Sequence, residues 1–238
     1  MEKLTKKERK ELKKLVLAEK LEKENRQKTY KKVASWIVGL VILGLIIWGV
    51  VAVVSNPKEE SSAVLPISST DIATGSANAK ANLIEYADFE CPACADSSKF
   101  VEQLKIDFPK DLRVAYRFFP LPQHNLGMIS SQVAYAAYKQ GKFWEMYGTL
   151  YDNQTKWSSS QNPQPLFDEY AKQLNLDLTK LHVDQNADST KKFIEDQYNE
   201  GLIIGITYTP SFFLNGKLIQ PANYQEFKSL VQDEINKN

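Results

Sequence analysis

Residues 82–119 read NLIEYADFECPACADSSKFVEQLKIDFPKDLRVAYRFF, and their pattern predicts the first half of an α/β fold. The apolar run 82–89 predicts a buried strand, and apolar residues from 100 to 108 recur at the spacing of one helix face. Residues 112–119 predict a second strand, which Pro120 ends. A strand, a helix and a strand within about 40 residues form a βαβ unit, so we expect the two strands to be parallel.

The sequence that follows completes an α/β pattern. Residues 127–204 carry apolar stripes at helical spacing and predict a helical insertion. The stretch 209–220 predicts a β-hairpin around the turn Asn215-Gly216. A last helix is expected over residues 224–235. Together these patterns predict one folded domain, residues 81–238, with the order β-α-β, helices, β-β-α.

The residues before this domain fall into three segments of different composition. Residues 1–32 hold thirteen Lys or Arg against six Glu, which predicts a solvated charged helix, with nucleic-acid binding as the alternative. Residues 33–54 carry no charge and are long enough to cross a bilayer, for which about 20 apolar residues are needed. Residues 55–80 are rich in Ser, Ala and Thr and lack aromatic residues, so they predict a flexible linker.

We interpret residues 33–54 as a retained signal anchor, a single transmembrane helix. The alternative, a cleavable signal peptide, has a shorter apolar core of about 7–15 residues after a short basic start. Lys and Arg concentrate on the cytoplasmic side of a span, and here the basic segment precedes it. We therefore expect the amino terminus in the cytoplasm and everything after residue 54 outside the cell membrane.

The chain has two cysteines, Cys91 and Cys94. This number excludes a small scaffold held together by several disulfides and a zinc site of four thiolates. A disulfide between residues three apart closes a very small loop. Because the entropy that a disulfide removes from the unfolded chain grows with loop size, this bond would stabilise the fold little. Redox chemistry explains the pair better.

The position of Cys91 favours a reactive thiolate. Pro92 suits the first turn of a helix, which makes Cys91 the expected N-cap. A thiolate there faces unpaired backbone N–H groups and the positive end of the helix dipole. Such surroundings lower a cysteine pKa from about 8.5 to about 3.5–7.5. Cys94 lies one turn further along, where we expect it to be more buried and to react second.

Metal binding is the alternative use of the two thiols. The pair supplies two of the four ligands that zinc usually takes. The further candidates are the two histidines, His124 and His182, and neither is adjacent to the pair in sequence. A copper site would need His124 to fold over the motif. The chain carries no motif for flavin, nicotinamide or metal, so our expectation is that it uses no cofactor.

The sequence resembles the thioredoxin superfamily, and specifically its DsbA-like thiol–disulfide oxidoreductases. The resemblance covers about residues 80–238. It rests on the motif Cys-Pro-Ala-Cys at 91–94 after a buried strand, on TPSFFLNG at 209–216 and on the helical insertion between them. It implies a thioredoxin-like fold in which Cys91 is the nucleophile and Cys94 the resolving cysteine.

The resemblance also implies roles for four other residues. Pro210 corresponds to the cis-proline beside the disulfide, and Thr209 to the variable residue before it. Glu85 stands where relatives place a buried acid beneath the active site, with an exposed position on an edge strand as the alternative. His124 lies in a stretch that often carries histidine in the family, although it can equally serve only to cap or pack against a helix.

These observations predict a membrane-anchored, extracytoplasmic dithiol oxidase that introduces disulfides into exported proteins. The resemblance assigns reoxidation to a quinone-linked membrane partner, and we expect no nucleic-acid partner. The dipeptide Pro92-Ala93 departs from the Pro-His of the best-known oxidants, so a disulfide reductase or isomerase stays open. A non-enzymatic copper or zinc chaperone with the same fold is the alternative from another class.

Overall fold

A computed structural model describes residues 64–237 together with Lys23, Trp36 and Gly44. The chain divides into two units, residues 1–60 and 61–238. The predicted charged helix and transmembrane span belong to the first unit, and apart from those three helical residues they lie outside the described part of the chain. Among the described residues, no helix has the length and apolar character needed to cross a bilayer.

The second unit is built on a mixed sheet. Its strands pair in the order β1-β3-β2-β4-β5. They are β1 Ile72–Thr74, β2 Ala81–Ala87, β3 Leu112–Phe118, β4 Ser211–Leu214 and β5 Lys217–Ile219. The neighbours β2 and β3 run parallel, as the βαβ pattern predicted, and the other pairs are antiparallel. The predicted hairpin is confirmed as well, because β4 and β5 pair across Asn215 and Gly216, which both have positive φ.

Helices connect and cover these strands. Helix α1 joins β2 to β3, helices α2 to α7 form the predicted insertion between β3 and β4, and α8 follows the hairpin. Their bounds are α1 Pro92–Asp107, α2 Gly127–Tyr138, α3 Phe143–Asp152, α4 Gln154–Ser158, α5 Gln164–Gln173, α6 Leu178–Gln185, α7 Asp188–Ile203 and α8 Tyr224–Lys237. The domain is therefore an α/β thioredoxin-like fold with a helical insertion.

The predicted boundary between linker and domain at residue 81 is wrong. Strand β1 lies inside the predicted linker and pairs with β3, and Ile72 is almost fully buried. Val64 and Ala79 are buried too. A strand of three residues is too short to show alternation, and its burial comes from tertiary contacts that local composition does not encode.

Alternate residues of β2 face two different layers. Leu83 packs in a cluster that includes residues of α1 and α8, whereas Ile84 packs with Val64 and Ile206 on the other face. Successive side chains of a strand point to opposite faces. Glu85 therefore shares the face of Leu83, and Tyr86 shares that of Ile84.

Candidate active site

The two cysteines lie where β2 passes into α1. Cys91 is the N-cap residue of α1 with an extended backbone, and Pro92 is the first helical residue, as predicted. Both thiols are free. Cys94 is fully buried, while Cys91 keeps 7% of its surface exposed. The predicted order of burial is thus confirmed.

The environment makes the two thiols unequal. The pKa of Cys91 is lowered to about 5, first by a hydrogen bond from the Cys94 thiol and, against the opposing effect of burial, by contacts with Thr209 and the backbone at the start of α1. The pKa of Cys94 is raised well above its ordinary value, first by burial and then by its hydrogen bond to Cys91. At neutral pH the pair therefore holds one thiolate, at Cys91, and one proton, at Cys94.

The loop before β4 closes the other side of the site. The Thr209–Pro210 peptide is cis, as the resemblance implied. When protonated, the Cys91 thiol donates a hydrogen bond to the carbonyl oxygen of Thr209 at a distance of 3.4 Å. The Thr209 side chain is buried, and its hydroxyl has no partner among the described residues. Pro210 is thereby fixed next to the nucleophile.

Glu85 is buried beneath the motif on a central strand, so the alternative of an exposed edge position is wrong. The hydroxyl of Tyr147 donates a hydrogen bond to Glu85 Oε2 at 3.1 Å, and Oε1 has no partner in the described part of the chain. Burial raises the pKa of Glu85 to about 8, and the Tyr147 hydrogen bond opposes this rise. When Glu85 is ionised, its charge adds to the effects that raise the pKa of Cys94.

Asp88 was not singled out from the sequence, yet it holds the neighbouring loop. Its fully buried carboxylate accepts hydrogen bonds from the backbone N–H of Glu90 at 2.8 Å and of Leu121 at 2.7 Å. His124 Nδ1 lies 2.7 Å from Asp88 Oδ2. The helix start at Gly127 comes so close that an added Cβ would lie 2.8 Å from Asp88 Oδ1. His124 thus helps to fix the 120–127 loop against the strand that leads into the motif.

Gln154 is a second residue that sequence reasoning missed. It lies at the start of α4, in the insertion, and its buried side-chain amide donates to the carbonyl oxygens of Phe89 at 2.7 Å and Cys91 at 2.8 Å. It therefore satisfies the backbone on both sides of the turn that presents Cys91. No local pattern signals this role, because the contact joins positions more than 60 residues apart.

The predicted metal ligands are not brought together in the described part of the chain. His124 contacts Asp88, and His182 Nε2 lies 2.8 Å from Asp168 Oδ1. Within residues 64–237, no three His, Cys, Asp or Glu side chains are close enough to hold one metal ion. The geometry of these residues offers Cys91 and Cys94 no third ligand.

A groove with a volume of about 570 Å³ begins beside the motif. Ala93, between the two cysteines, and Pro210 both line it. Its other apolar residues are Phe100, Phe212, Ile219, Pro221 and Phe227. Asp96 is the one charged residue among the lining residues described. The groove is large enough to hold several side chains of a bound polypeptide next to Cys91.

A thioredoxin family model matches residues 68–233. Among curated proteins, the chain is 31% identical over 139 residues to Na(+)/H(+) antiporter NhaA 1 of Mycolicibacterium vanbaalenii, a match that covers 56% of this chain and 21% of the antiporter. It is also 31% identical over 150 residues to Na(+)/H(+) antiporter NhaA 3 of Salinispora tropica, covering 62% of this chain and 22% of that protein. The chain thus spans about a fifth of the length of these curated relatives.

Solved structures share the fold at low sequence identity. Oxidised BdbD from Bacillus subtilis is 19% identical, with a TM-score of 0.65 and coverage of 73% of this chain and 97% of that one. Wolbachia pipientis alpha-DsbA1 is 18% identical, with a TM-score of 0.66 and coverage of 74% and 96%. Proteus mirabilis ScsC is 18% identical, with a TM-score of 0.63 and coverage of 99% and 98%.

Proposed function

The chain belongs to the thioredoxin family and has the DsbA-like form of its fold, and on this premise we propose that it is a thiol–disulfide oxidoreductase that introduces disulfides into exported proteins. The observation that carries the proposal is the unequal pair at the start of α1. Cys91 has a pKa of about 5, while that of Cys94 is raised well above its ordinary value. A disulfide from which Cys91 is released as a stable thiolate is what an oxidant needs.

The reaction starts from the oxidised protein with a Cys91–Cys94 disulfide. A substrate thiolate attacks Cys91 Sγ, the bond between the two cysteines breaks, and Cys94 leaves with the electron pair and takes up a proton. A second thiolate of the substrate then attacks the substrate sulfur of the mixed disulfide and releases Cys91 as a thiolate. The substrate has lost two electrons and gained a disulfide, and the protein has gained the two electrons as a reduced pair.

The low pKa of Cys91 favours transfer toward the substrate. One pKa unit corresponds to about 1.4 kcal/mol. At pH 7, a thiol with a pKa of about 5 stabilises the reduced protein by about 3 kcal/mol relative to an ordinary thiol. For two electrons this corresponds to a reduction potential that is about 60 mV more oxidising. The same effect makes Cys91 the better leaving group in the second step.

Glu85 supplies the proton that Cys94 needs. Cys94 is fully buried, so a thiolate released there in the first step is poorly stabilised. Glu85 is buried with a pKa of about 8 and is therefore mostly protonated at pH 7. Transfer of its proton to Cys94 removes the buried thiolate and leaves a carboxylate that Tyr147 stabilises through its hydrogen bond. The reverse transfer prepares Cys94 for reoxidation.

The compartment and the electron acceptor complete the proposal. An anchor at residues 33–54 would hold the domain outside the cytoplasm, where disulfides persist. A quinone-linked membrane partner accepts the two electrons of the reduced pair and regenerates the Cys91–Cys94 disulfide. Support for this arrangement comes from the charge pattern around residues 33–54 and from the family resemblance.

Equilibration with glutathione tests the direction of transfer. The purified full-length protein is incubated at pH 7 with graded ratios of reduced to oxidised glutathione, trapped with acid and analysed by mass spectrometry. We expect a reduction potential nearer to the about −120 mV of a strong oxidant than to the about −270 mV of thioredoxin. A reduction potential like that of thioredoxin would indicate a disulfide reductase and would contradict the proposed oxidase.

Protease accessibility tests the topology. Protease added to intact spheroplasts is expected to cleave residues after 54 and to spare residues 1–32. Protection of the whole chain would contradict the proposed location and, with it, a role in oxidising exported proteins.

A further inference from the structure

Asp96 brings an unpaired negative charge to the groove. It is exposed on α1, and no hydrogen bond or ion pair to its carboxylate is found within the described part of the chain. Other polar groups of the lining have partners within the protein: the Ser97 hydroxyl donates to the carbonyl oxygen of Cys94 at 3.1 Å, and the Gln220 amide donates to the Tyr208 hydroxyl. The carboxylate of Asp96 is thus the charged acceptor that a bound polypeptide meets there.

The distance from the nucleophile limits which substrate residue can reach this carboxylate. Asp96 follows Cys91 by five positions, which is about 7.5 Å along a helix axis at about 1.5 Å per residue, and this axial rise is the smallest separation of the two side chains. An extended polypeptide advances about 3.3 Å per residue. A substrate whose cysteine reacts at Cys91 therefore places a residue about two positions away opposite Asp96.

The remainder of the groove suits a side chain with a long apolar stem. Phe100, Phe212 and Phe227 line it together with Pro210. Lys and Arg lay their methylene stems along apolar surfaces and keep the charged end in polar contact. Lys99 lies on the same helix, but it is exposed, does not line the groove and makes no ion pair with Asp96 among the described contacts.

We propose that Asp96 is a specificity-determining residue that favours substrates with Lys or Arg within about three residues of the reacting cysteine. The cationic end contacts the Asp96 carboxylate and the stem packs on the phenylalanines of the groove. This inference rests on the proposed function, because it concerns the polypeptide that reacts at Cys91. It adds the chemical class of side chain that the site selects.

Two sets of three two-cysteine peptides test the inference. The peptides of a set are identical except for Lys, Gln or Glu at one position, which lies two positions before the first cysteine in one set and two positions after it in the other. Their oxidation by the full-length oxidised protein is followed at low ionic strength. Because the substituted residue also changes the reactivity of the peptide thiol, the informative quantity is the Lys-to-Glu rate ratio in wild type divided by that in Asp96→Asn. We expect this quotient to be about two to five, the size of an exposed ion pair.

A matched control removes the same charge elsewhere. Asp152 is exposed at the end of α3 and does not line the groove, so Asp152→Asn should keep the wild-type ratio. Added salt should lower the wild-type ratio toward that of Asp96→Asn. Equal ratios in wild type and Asp96→Asn for both peptide sets would overturn the role of Asp96. Failure of the protein to oxidise any of the peptides would instead contradict the proposed oxidase.

Discussion

Two adjacent residues of β2 point to opposite faces of the sheet, and the two faces accommodate buried charge in different ways. Glu85 points to the α1 side, where it has one hydrogen bond, from neutral Tyr147, and a pKa raised to about 8. Tyr86 points to the opposite face and contacts Arg117, which is buried but fully paired. On one face the charge is avoided by protonation, and on the other it is kept and compensated.

The pairing around Arg117 joins three parts of the domain. Its guanidinium donates to Asp71 at 2.8 and 2.9 Å, to Glu200 at 2.7 Å and to the Tyr86 hydroxyl at 2.9 Å. It also donates to the carbonyl oxygen of Leu65 at 3.0 Å. Although burial opposes ionisation of Asp71, the hydrogen bonds from Arg117 and Ser68 hold its pKa below the ordinary value. On this face the buried charges are compensated by ion pairs, whereas the acid on the α1 face has a pKa of about 8 and is mostly protonated at pH 7.

Removal of Arg117 should have the largest effect on stability. Arg117→Met leaves Asp71 and Glu200 without their cation, and breaking a buried ion pair costs about 3–5 kcal/mol. The free energy of unfolding in urea, measured by near-ultraviolet circular dichroism, should fall by that amount. Lys192→Met is the control, because Lys192 pairs with Asp196 on an exposed helix face and its loss should have no measurable effect. Equal stabilities of the two variants would contradict the distinction between the faces.

Replacement of Glu85 should raise the free energy of unfolding, whereas replacement of Arg117 lowers it. Its pKa is about 8 in the folded protein and 4.5 in the unfolded chain, so the fold loses stability as pH rises from about 4.5 toward 8. Glu85→Gln removes this loss and should stabilise the protein by about 3 kcal/mol at pH 7 and hardly at pH 4. Unfolding in urea at both pH values measures the difference. Destabilisation at pH 7 would show that the acid is held ionised.

The same variant should impair the proton step at Cys94. Glu85→Gln retains size and polarity but cannot accept or donate the proton. In the first step the protonation of Cys94 follows cleavage of the disulfide, whereas in reoxidation Cys94 must lose its proton before it can attack, so reoxidation of the reduced pair should slow more than the first attack on Cys91. Stopped-flow measurement of both half-reactions distinguishes the steps. Equal slowing of both, or no slowing, would remove Glu85 from the mechanism. Glu102→Gln is the control, because Glu102 is one of the weaker influences on Glu85 and lies toward the surface of α1.

Much of the site was predictable because it is local in sequence. The strand–Cys91–Pro92 pattern predicts the N-cap and the order of burial, and both are confirmed. The partners that tune the site were not predictable. Tyr147 and Gln154 come from the insertion, and their contacts span about 60 residues. Helical periodicity predicts that the insertion packs, but it does not specify which hydroxyl or amide meets the motif.

Charged residues within apolar strands carried a signal that sequence reasoning used only in part. Glu85 and Arg117 both interrupt apolar runs, which indicates a buried charge with some compensation. Glu85 and Arg117 are compensated in different ways. The sequence does not reveal the partners of Arg117, because Asp71 and Glu200 lie 46 and 83 positions away from it. Strand β1 escaped prediction for the same reason, since it is held by β3 and by the Asp71 contact rather than by its own pattern.

Replacement of Tyr147 should have a smaller effect than the replacements of Arg117 and Glu85. Its hydroxyl lowers the pKa of Glu85 against the effect of burial, so Tyr147→Phe should raise that pKa further. Loss of one hydrogen bond is worth about 1 kcal/mol, or up to about one pKa unit. The pH at which reoxidation is half-maximal should rise accordingly. Tyr170→Phe is the control, because the buried Tyr170 hydroxyl has no hydrogen-bond partner among the described residues and its removal should leave the pH profile unchanged.

The chemistry of the pair depends on Cys91 being a thiolate at neutral pH while Cys94 is not. The most direct test is the rate of iodoacetamide modification of each cysteine in the reduced full-length protein between pH 4 and pH 9, resolved by mass spectrometry. We expect a half-maximal rate at Cys91 near pH 5, a plateau through neutral pH, and little modification of Cys94. Similar rates at both cysteines, rising together toward the ordinary thiol pKa of about 8.5, would contradict this expectation.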